Sequence, residues 1–258
     1  MFSEDEIERY ARHLMLKEIG GEGQQRLKQA TVTLVGLGGL GGTAGQYLAA
    51  AGVGRLRLVD PDTVSLSNLQ RQVPYETADL NAPKPKVLAR RLHALNPNVA
   101  IEHHERAFEA NDLRGVDLAL DGTDSFPARF AINQACVEAG VTLVSGALGP
   151  WSGQVGAFAP HVGAYQPCYA CFVPSEPPEA EACAVHGVVG ALAGVVACQM
   201  ALEAIKLITG AGTPLLGRLW IYDALKAEGR TLNMAKDPAC PVCAGAAAEK
   251  NTIAPLPH

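Results

Sequence analysis

The stretch TVTLVGLGGLG, from Thr31 to Gly41, decides the fold. Thr31–Val35 is a short β-branched run of the kind that fills a buried strand. Gly36, Gly38, Gly39 and Gly41 follow in the pattern G-x-G-x-x-G, and small residues then continue as a helix through Ala51. Arg55–Val59 reads as the next strand and ends in Asp60. Glycines at the mouth of a helix let backbone N–H groups approach a phosphate, and an acid about 20 residues on accepts from ribose hydroxyls. The loop alone is a weak signal, because a glycine turn can serve tight packing only. Strand, loop, helix, strand and acid in that order indicate a nucleotide site.

Outward from the loop, strands alternate with helices. A helix over about 87–95 is closed by Asn96-Pro97, 99–103 and 116–120 read as strands, 128–139 as a helix and 141–145 as a strand. This predicts an α/β fold with a doubly wound, mostly parallel, Rossmann-like sheet. After Gly146 the pattern changes. Residues 153–159, 218–222 and 231–234 predict an antiparallel C-terminal extension. Upstream, Ser3 and Glu6 form a capping box for a helix over 4–18, ended by Gly20, Gly21 and Gly23, with a short helix over 24–28 behind it. The expected organisation is one domain over 1–243, with a glycine-loop half to about 146, a second half to 243, and a frayed tail over 244–258.

Composition narrows the class. Hydrophobic residues make up 48% of 258 and charged ones 18%, so a large core can be buried. A net charge of −5 argues against nucleic acid as a partner. The apolar stretch 187–202 is rich in Ala and Gly and reads as a buried helix rather than a membrane span. MFSEDEIERY lacks the basic start and apolar run of a secretory signal, so a cytoplasmic location is expected.

The segment after Asp60 is unusual for a dehydrogenase. Asp60-Pro-Asp62-Thr-Val-Ser-Leu-Ser-Asn68-Leu-Gln-Arg71-Gln72 places groups able to bind phosphate one after another, and Lys84 follows. An enzyme that splits the α–β bond of ATP needs cations on the triphosphate and a carboxylate for Mg²⁺. Arg71 and Lys84 suit the first need, and Asp124 in the turn Asp121-Gly-Thr-Asp124 suits the second. Each alone is equally a solvated surface charge; the ordered set is what carries weight.

The cysteines add a second signal. Cys168-Tyr-Ala-Cys171 and Cys240-Pro-Val-Cys243 are two knuckles whose four thiolates suit a closed, structural zinc site. Redox dithiols and unliganded cysteines are the alternatives. Cys136 and Cys198 lie on apolar helices and read as core. Cys183 lies in a Pro- and Glu-rich loop over 172–186, and an unemployed thiol is as consistent with that place as a reactive one.

GLGGLG, VDPDTVSLSNLQRQ, the GTD turn and the two Cys-x-x-Cys pairs together resemble the MoeB/ThiF/ubiquitin-activating family, which includes molybdopterin-synthase adenylyltransferase and the thiamine-pathway sulfur-carrier adenylyltransferase. The resemblance runs from Arg9-Tyr10-Ala11-Arg12 to Cys243. It implies ATP-dependent adenylation of the C-terminal glycine of a ubiquitin-like sulfur-carrier protein ending in Gly-Gly. It implies a homodimer in which Arg12 reaches the ATP of the partner subunit. It implies ATP and Mg²⁺ contacts from Asp60, Asn68, Arg71, Lys84 and Asp124, with Asp62, Gln72 and the loop glycines around them, and in some members a covalent carrier adduct on the cysteine matching Cys183. His13 and Ser125 depart from the family's usual Gln and Asn. Pro83-Lys84-Pro85-Lys86 offers two lysines, of which spacing favours Lys84. With no sulfurtransferase domain after Cys243, a separate sulfur donor is expected. A tRNA-modifying relative, a nucleotide-binding scaffold without catalysis and, more distantly, a dehydrogenase are the other readings.

Overall fold

The structure is a computed structural model that describes residues 2–176 and 187–245. Cys183, the rest of 177–186 and the tail from 246 lie outside the described residues. Eight strands form one sheet in the order β3-β2-β1-β4-β5-β6-β7-β8. They are β1 Thr31–Val35, β2 Arg55–Val59, β3 Ala100–His104, β4 Leu118–Asp121, β5 Thr142–Leu148, β6 Ser152–Phe158, β7 Arg218–Asp223 and β8 Glu228–Asn233. The first five run parallel, and β6, β7 and β8 join antiparallel. The doubly wound sheet with an antiparallel extension is therefore as expected.

The helices are α1 Glu4–Leu14, α2 Gly20–Gln29, α3 Gly41–Ala51, α4 Lys84–Leu95, α5 Phe126–Ala139, the single turn α6 Tyr169–Phe172, and α7 Gly190–Thr209. Ser3 and Glu6 form the capping box of α1. α1 stops at Leu14, four residues short of the expected end, and the glycines that were expected to end it open α2 instead. Gly20 takes a left-handed φ of +54° at that corner, and a Cβ on Gly23 would press on Ile19 and on Thr209 at the end of α7. Gly20 thus serves the turn of the backbone and Gly23 the close packing of α2 on α7. α4 begins three residues earlier than its apolar period suggests, because Pro85 fits the first turn of a helix.

α7 is long and apolar enough to cross a membrane by length and composition. In this fold Leu192, Ala193, Val196, Ala197, Met200, Ala201 and Ala204 are buried in the main core with Leu34, Val144 and Val155 of the sheet. The small residues let the helix lie close: a Cβ on Gly153 of β6 would stand 2.2 Å from Val196 Cγ2.

Candidate functional site

The site grows from the turn between β1 and α3. Gly36 has φ +79°, and a Cβ there would lie 2.8 Å from the backbone of Gly122 and Thr123. A Cβ on Gly41 would lie 2.0 Å from the carbonyl of Gly36. The two turns at the carboxyl ends of β1 and β4 thus touch backbone to backbone. The first turn of α3 has no side-chain cap, so its N–H groups and the positive end of its dipole are offered to an anion. Thr43 Oγ1 and Gln72 Oε1, both buried, have no hydrogen-bond partner among the described residues.

Asp60 is buried at the end of β2. Its Oδ2 accepts from the N–H of Leu37 at 2.6 Å and its Oδ1 from the N–H of Asp62 at 2.7 Å. Tyr75 donates to the carbonyl of Leu37 at 2.7 Å, so both polar groups of that loop residue are held. Burial pushes the Asp60 carboxyl above its usual range, against the pull of the two N–H groups and of the Lys84 charge. Each oxygen keeps a second lone pair, so the carboxylate can fix the loop and still accept from a ribose.

Lys84 is the first residue of α4 and only 4% exposed. A lysine at the positive end of a helix is unfavourable unless an anion is near. Here Asp62 is near, 2.8 Å from Nζ, and the Asp62 carbonyl also accepts from the Lys84 N–H at 3.0 Å. Lys86 is exposed. Arg71 and Gln72 pack against the loop from the other side: a Cβ on Gly39 would meet Arg71 at 3.2 Å, and one on Gly38 would meet Gln72 Nε2 at 3.2 Å. Asn68 ends a 3-10 turn, and its carbonyl accepts from the N–H groups of Arg71 and Gln72. Arg71 Nη1 donates to the carbonyl of Ser67 at 3.1 Å. Asp124 is exposed one residue beyond the Gly36–Thr123 contact, with no partner among the described residues. The glycines, Asp60, Asp62, Asn68, Arg71, Gln72, Lys84 and Asp124 are therefore brought together along one rim of the sheet. A lone carboxylate there suits Mg²⁺, which is commonly held by one or two carboxylates plus phosphate oxygens.

The four cysteines form a second centre. Their sulfurs all lie within 4.8 Å of one another. Cys168–Cys240 is 3.7 Å, Cys168–Cys171 4.0 Å and Cys171–Cys243 3.4 Å. Bonds of 2.3 Å to a tetrahedral zinc require about 3.8 Å between sulfurs, so the donor set fits such a metal. Burial raises the Cys240 thiol, but the backbone N–H groups of Cys243 and Val242 and the neighbouring sulfurs outweigh it and hold it below its usual value. Cys168 and Cys243 shift the other way, raised chiefly by burial, so the fit to a metal rests on the sulfur spacing.

A model described as the ThiF family matches residues 10–242. The chain belongs to the ThiF family. A sulfur carrier protein adenylyltransferase of Thermus thermophilus is 44% identical over 252 residues, covering 94% of this chain and 92% of the relative. Molybdopterin-synthase adenylyltransferase of Escherichia coli is 40% identical over 245 residues, covering 93% and 98%. A crystal structure of E. coli MccB with MccA-N7isoASN superposes with a TM-score of 0.79 over 92% of this chain and 74% of that one, at 23% identity, a likeness of fold alone. The chain is an adenylyltransferase.

Two departures from the ThiF pattern have physical explanations. Ser125 caps α5 by accepting from the Ala128 N–H at 3.4 Å, a task Ser and Asn perform equally well. His13 Nδ1 lies 3.0 Å from Gln24 Oε1, whose amide in turn donates to the carbonyl of Ala51. That chain places the end of α1, and Arg12 with it, beside the carboxyl end of α3. The glycine loop is at the other end, about 16 Å away for eleven helical residues. Arg12 is exposed and is not brought to the site of its own chain.

Sequence reasoning missed a buried set behind the Asp124 turn. Asp121 accepts from the Thr123 N–H, from Thr123 Oγ1 and from Ser145 Oγ. Arg129 donates to the carbonyls of Thr123 and Gly146 at 2.6 and 2.9 Å. Its signal was available: one arginine in an otherwise uncharged segment, Phe126 to Val137.

Proposed function

We propose that this ThiF-family enzyme transfers AMP from ATP to the C-terminal glycine carboxylate of a ubiquitin-like sulfur-carrier protein ending in Gly-Gly, acting as a homodimer in the cytoplasm. The carrier would be a molybdopterin-synthase small subunit or its thiamine or tRNA-thiolation counterpart; the names of the two relatives speak of a sulfur carrier protein and of molybdopterin synthase. The observation that supports the site most is Lys84, a buried cation set at the positive end of α4 beside the uncapped glycine loop. Asp62 holds its charge in place beside the buried Asp60 carboxylate, and a preorganised cation of that kind suits a triphosphate.

In this reading the carrier carboxylate, ionised at neutral pH with an ordinary pKa of about 3.5, needs no general base. Its oxygen bonds to the α-phosphorus as the bond to the bridging oxygen breaks, and the electron pair leaves with pyrophosphate. Lys84, Arg71 and Arg12 of the partner subunit hold the phosphate charge that moves toward the leaving group. Asp60 orients the ribose, while Asp124 would hold Mg²⁺, which supplies further neutralisation when bound. Exposed Val195 and Leu202 on α7, with half-buried Cys198 between them and exposed Tyr47 of α3 beside Cys198, support a second copy as the dimer partner. The cysteine centre would hold zinc and staple the segment around Cys240 to the core. Cys183 would act after adenylation, so Cys183→Ala should keep exchange intact and lose any reducible carrier adduct seen by intact mass.

The test is carrier-dependent ATP–pyrophosphate exchange. Arg71→Ala and Asp124→Ala should each lower it by roughly 100-fold or more, since each removes charge stabilisation from the transition state. Near-normal exchange in either variant contradicts the assignment.

A further inference from the structure

The cysteine centre and the Asp124 turn are joined by a continuous path of buried groups. Asn133 on α5 is 1% exposed. Its Nδ2 donates to Cys168 Sγ at 3.7 Å, and its Oδ1 accepts from the Tyr169 N–H at 2.8 Å. The Tyr169 ring is wedged edge-on between Phe130, Phe158 and Phe172. It also lies against Arg129, which lines the same small cavity. Arg129, one helical turn before Asn133, reaches the carbonyls of Thr123 and Gly146 and lies 3.9 Å from Asp121. Thr123 is the neighbour of Asp124.

We infer that Asn133 and Arg129 are positioning residues that set the Asp124 turn according to the state of the cysteine centre. This rests on the reading of Asp124 as the Mg²⁺ ligand and of the four cysteines as a zinc site. With the metal bound, Cys168 and Tyr169 hold α6 against Asn133, and the packed Tyr169 ring holds the Arg129 guanidinium over the Thr123 carbonyl. Without it, Cys168 loses its fixed place and the Arg129 anchor loosens. A packed aromatic wedge transmits such a shift because it cannot deform gradually. Groups that hydrogen-bond a metal ligand commonly change metal affinity 10–100-fold when removed, so Asn133 should be felt at both ends of the path.

Reciprocity supplies a test that does not use turnover. If the metal favours the nucleotide-ready turn, bound nucleotide must favour the metal by the same factor. Zinc-loaded enzyme is mixed with a chromogenic chelator, with and without a non-hydrolysable ATP analogue and Mg²⁺, and analogue binding is followed in parallel by calorimetry. The expected result is that, at equilibrium with the chelator, bound analogue tightens zinc binding roughly fivefold or more. Arg129→Lys and Asn133→Ala should still bind zinc but lose that gain, with Arg129→Lys also binding the analogue more weakly. Analogue that binds wild type yet leaves zinc affinity unchanged overturns the inference and leaves the nucleotide site standing. Failure of the analogue to bind wild type overturns the site and the inference together. Because the wild-type comparison stands alone, a variant that does not fold cannot rescue the inference.

Discussion

Lys84 and Lys86 are two residues apart, and only their surroundings separate them. Lys84 is buried against Asp62 at the start of α4, whereas Lys86 is exposed. Lys84→Ala should therefore lower pyrophosphate exchange roughly 100-fold, as loss of a preorganised charge does, and Lys86→Ala should leave it near wild type. The reverse order in the same assay would show the wrong lysine was chosen. Gly36 is a second discriminating position. Its φ of +79° and the 2.8 Å approach of Gly122 and Thr123 leave no room for a methyl group, so Gly36→Ala should destabilise by more than about 1 kcal/mol in urea unfolding. Unaltered stability would mean that the two turns are not in contact. At this scale order and spacing pointed to Asp60, Arg71, Lys84 and Asp124, and the fold places them along one rim of the sheet. It could not disclose that Asp60 holds the N–H of Leu37, or that Arg129 holds two carbonyls, because a backbone partner leaves no mark in the side-chain pattern.

Among the elements, β1 and β2 were read to the residue, as compact β-branched or leucine-rich runs between turns, and β3, β4 and β5 to within one to three residues at their ends. Helix ends were read less well. Gly20 and Gly23 look like terminators, yet they lie in the first turn of α2: Gly20 takes the left-handed corner that opens it, and Gly23 faces Thr209 of α7, an approach visible only in three dimensions. The start of α4 has an electrostatic signature that can be measured. Arg90 and Arg91 both reach Asp79 in the short turn Thr77–Asp79. Burial raises the Asp79 carboxyl, but the Glu76 N–H and the two arginines outweigh it and hold it below its ordinary value of 3.8. A depressed carboxyl contributes stability above its unfolded value, and that contribution is lost as pH falls through the folded one. Asp79→Asn should thus cost about 1–3 kcal/mol near neutral pH, and the gap should close as pH falls below 3.8. A gap independent of pH would refute the linkage. The cysteine knuckles make a parallel claim: purified protein should carry about one zinc per chain, and Cys243→Ser should lose metal and thermal stability together. A metal-free, reduced protein of unchanged stability would contradict it.

The whole molecule is one sheet whose parallel half carries the nucleotide rim and whose antiparallel half adjoins the cysteine centre. Alternating strands and helices made the parallel half legible. That Arg12 sits at the far end of α3 from its own glycine loop was not, since nothing in a linear pattern says which end of a helix another helix will meet. This placement has a consequence for subunits. When Arg12→Ala and Asp124→Ala chains, each inactive alone, are mixed and re-paired, about a quarter of wild-type exchange should return. Half of randomly paired C₂ dimers then hold one intact site. No recovery, with hybrid dimers shown to form, would mean that Arg12 does not serve the partner's site. The chemistry itself is tested most directly by pyrophosphate exchange with one carrier protein in two forms, one ending in the free Gly-Gly carboxylate and one carrying the same end as an amide. Adenylation of that carboxylate predicts exchange with the first and none with the second. Equal exchange with both, or exchange without any carrier, would contradict it.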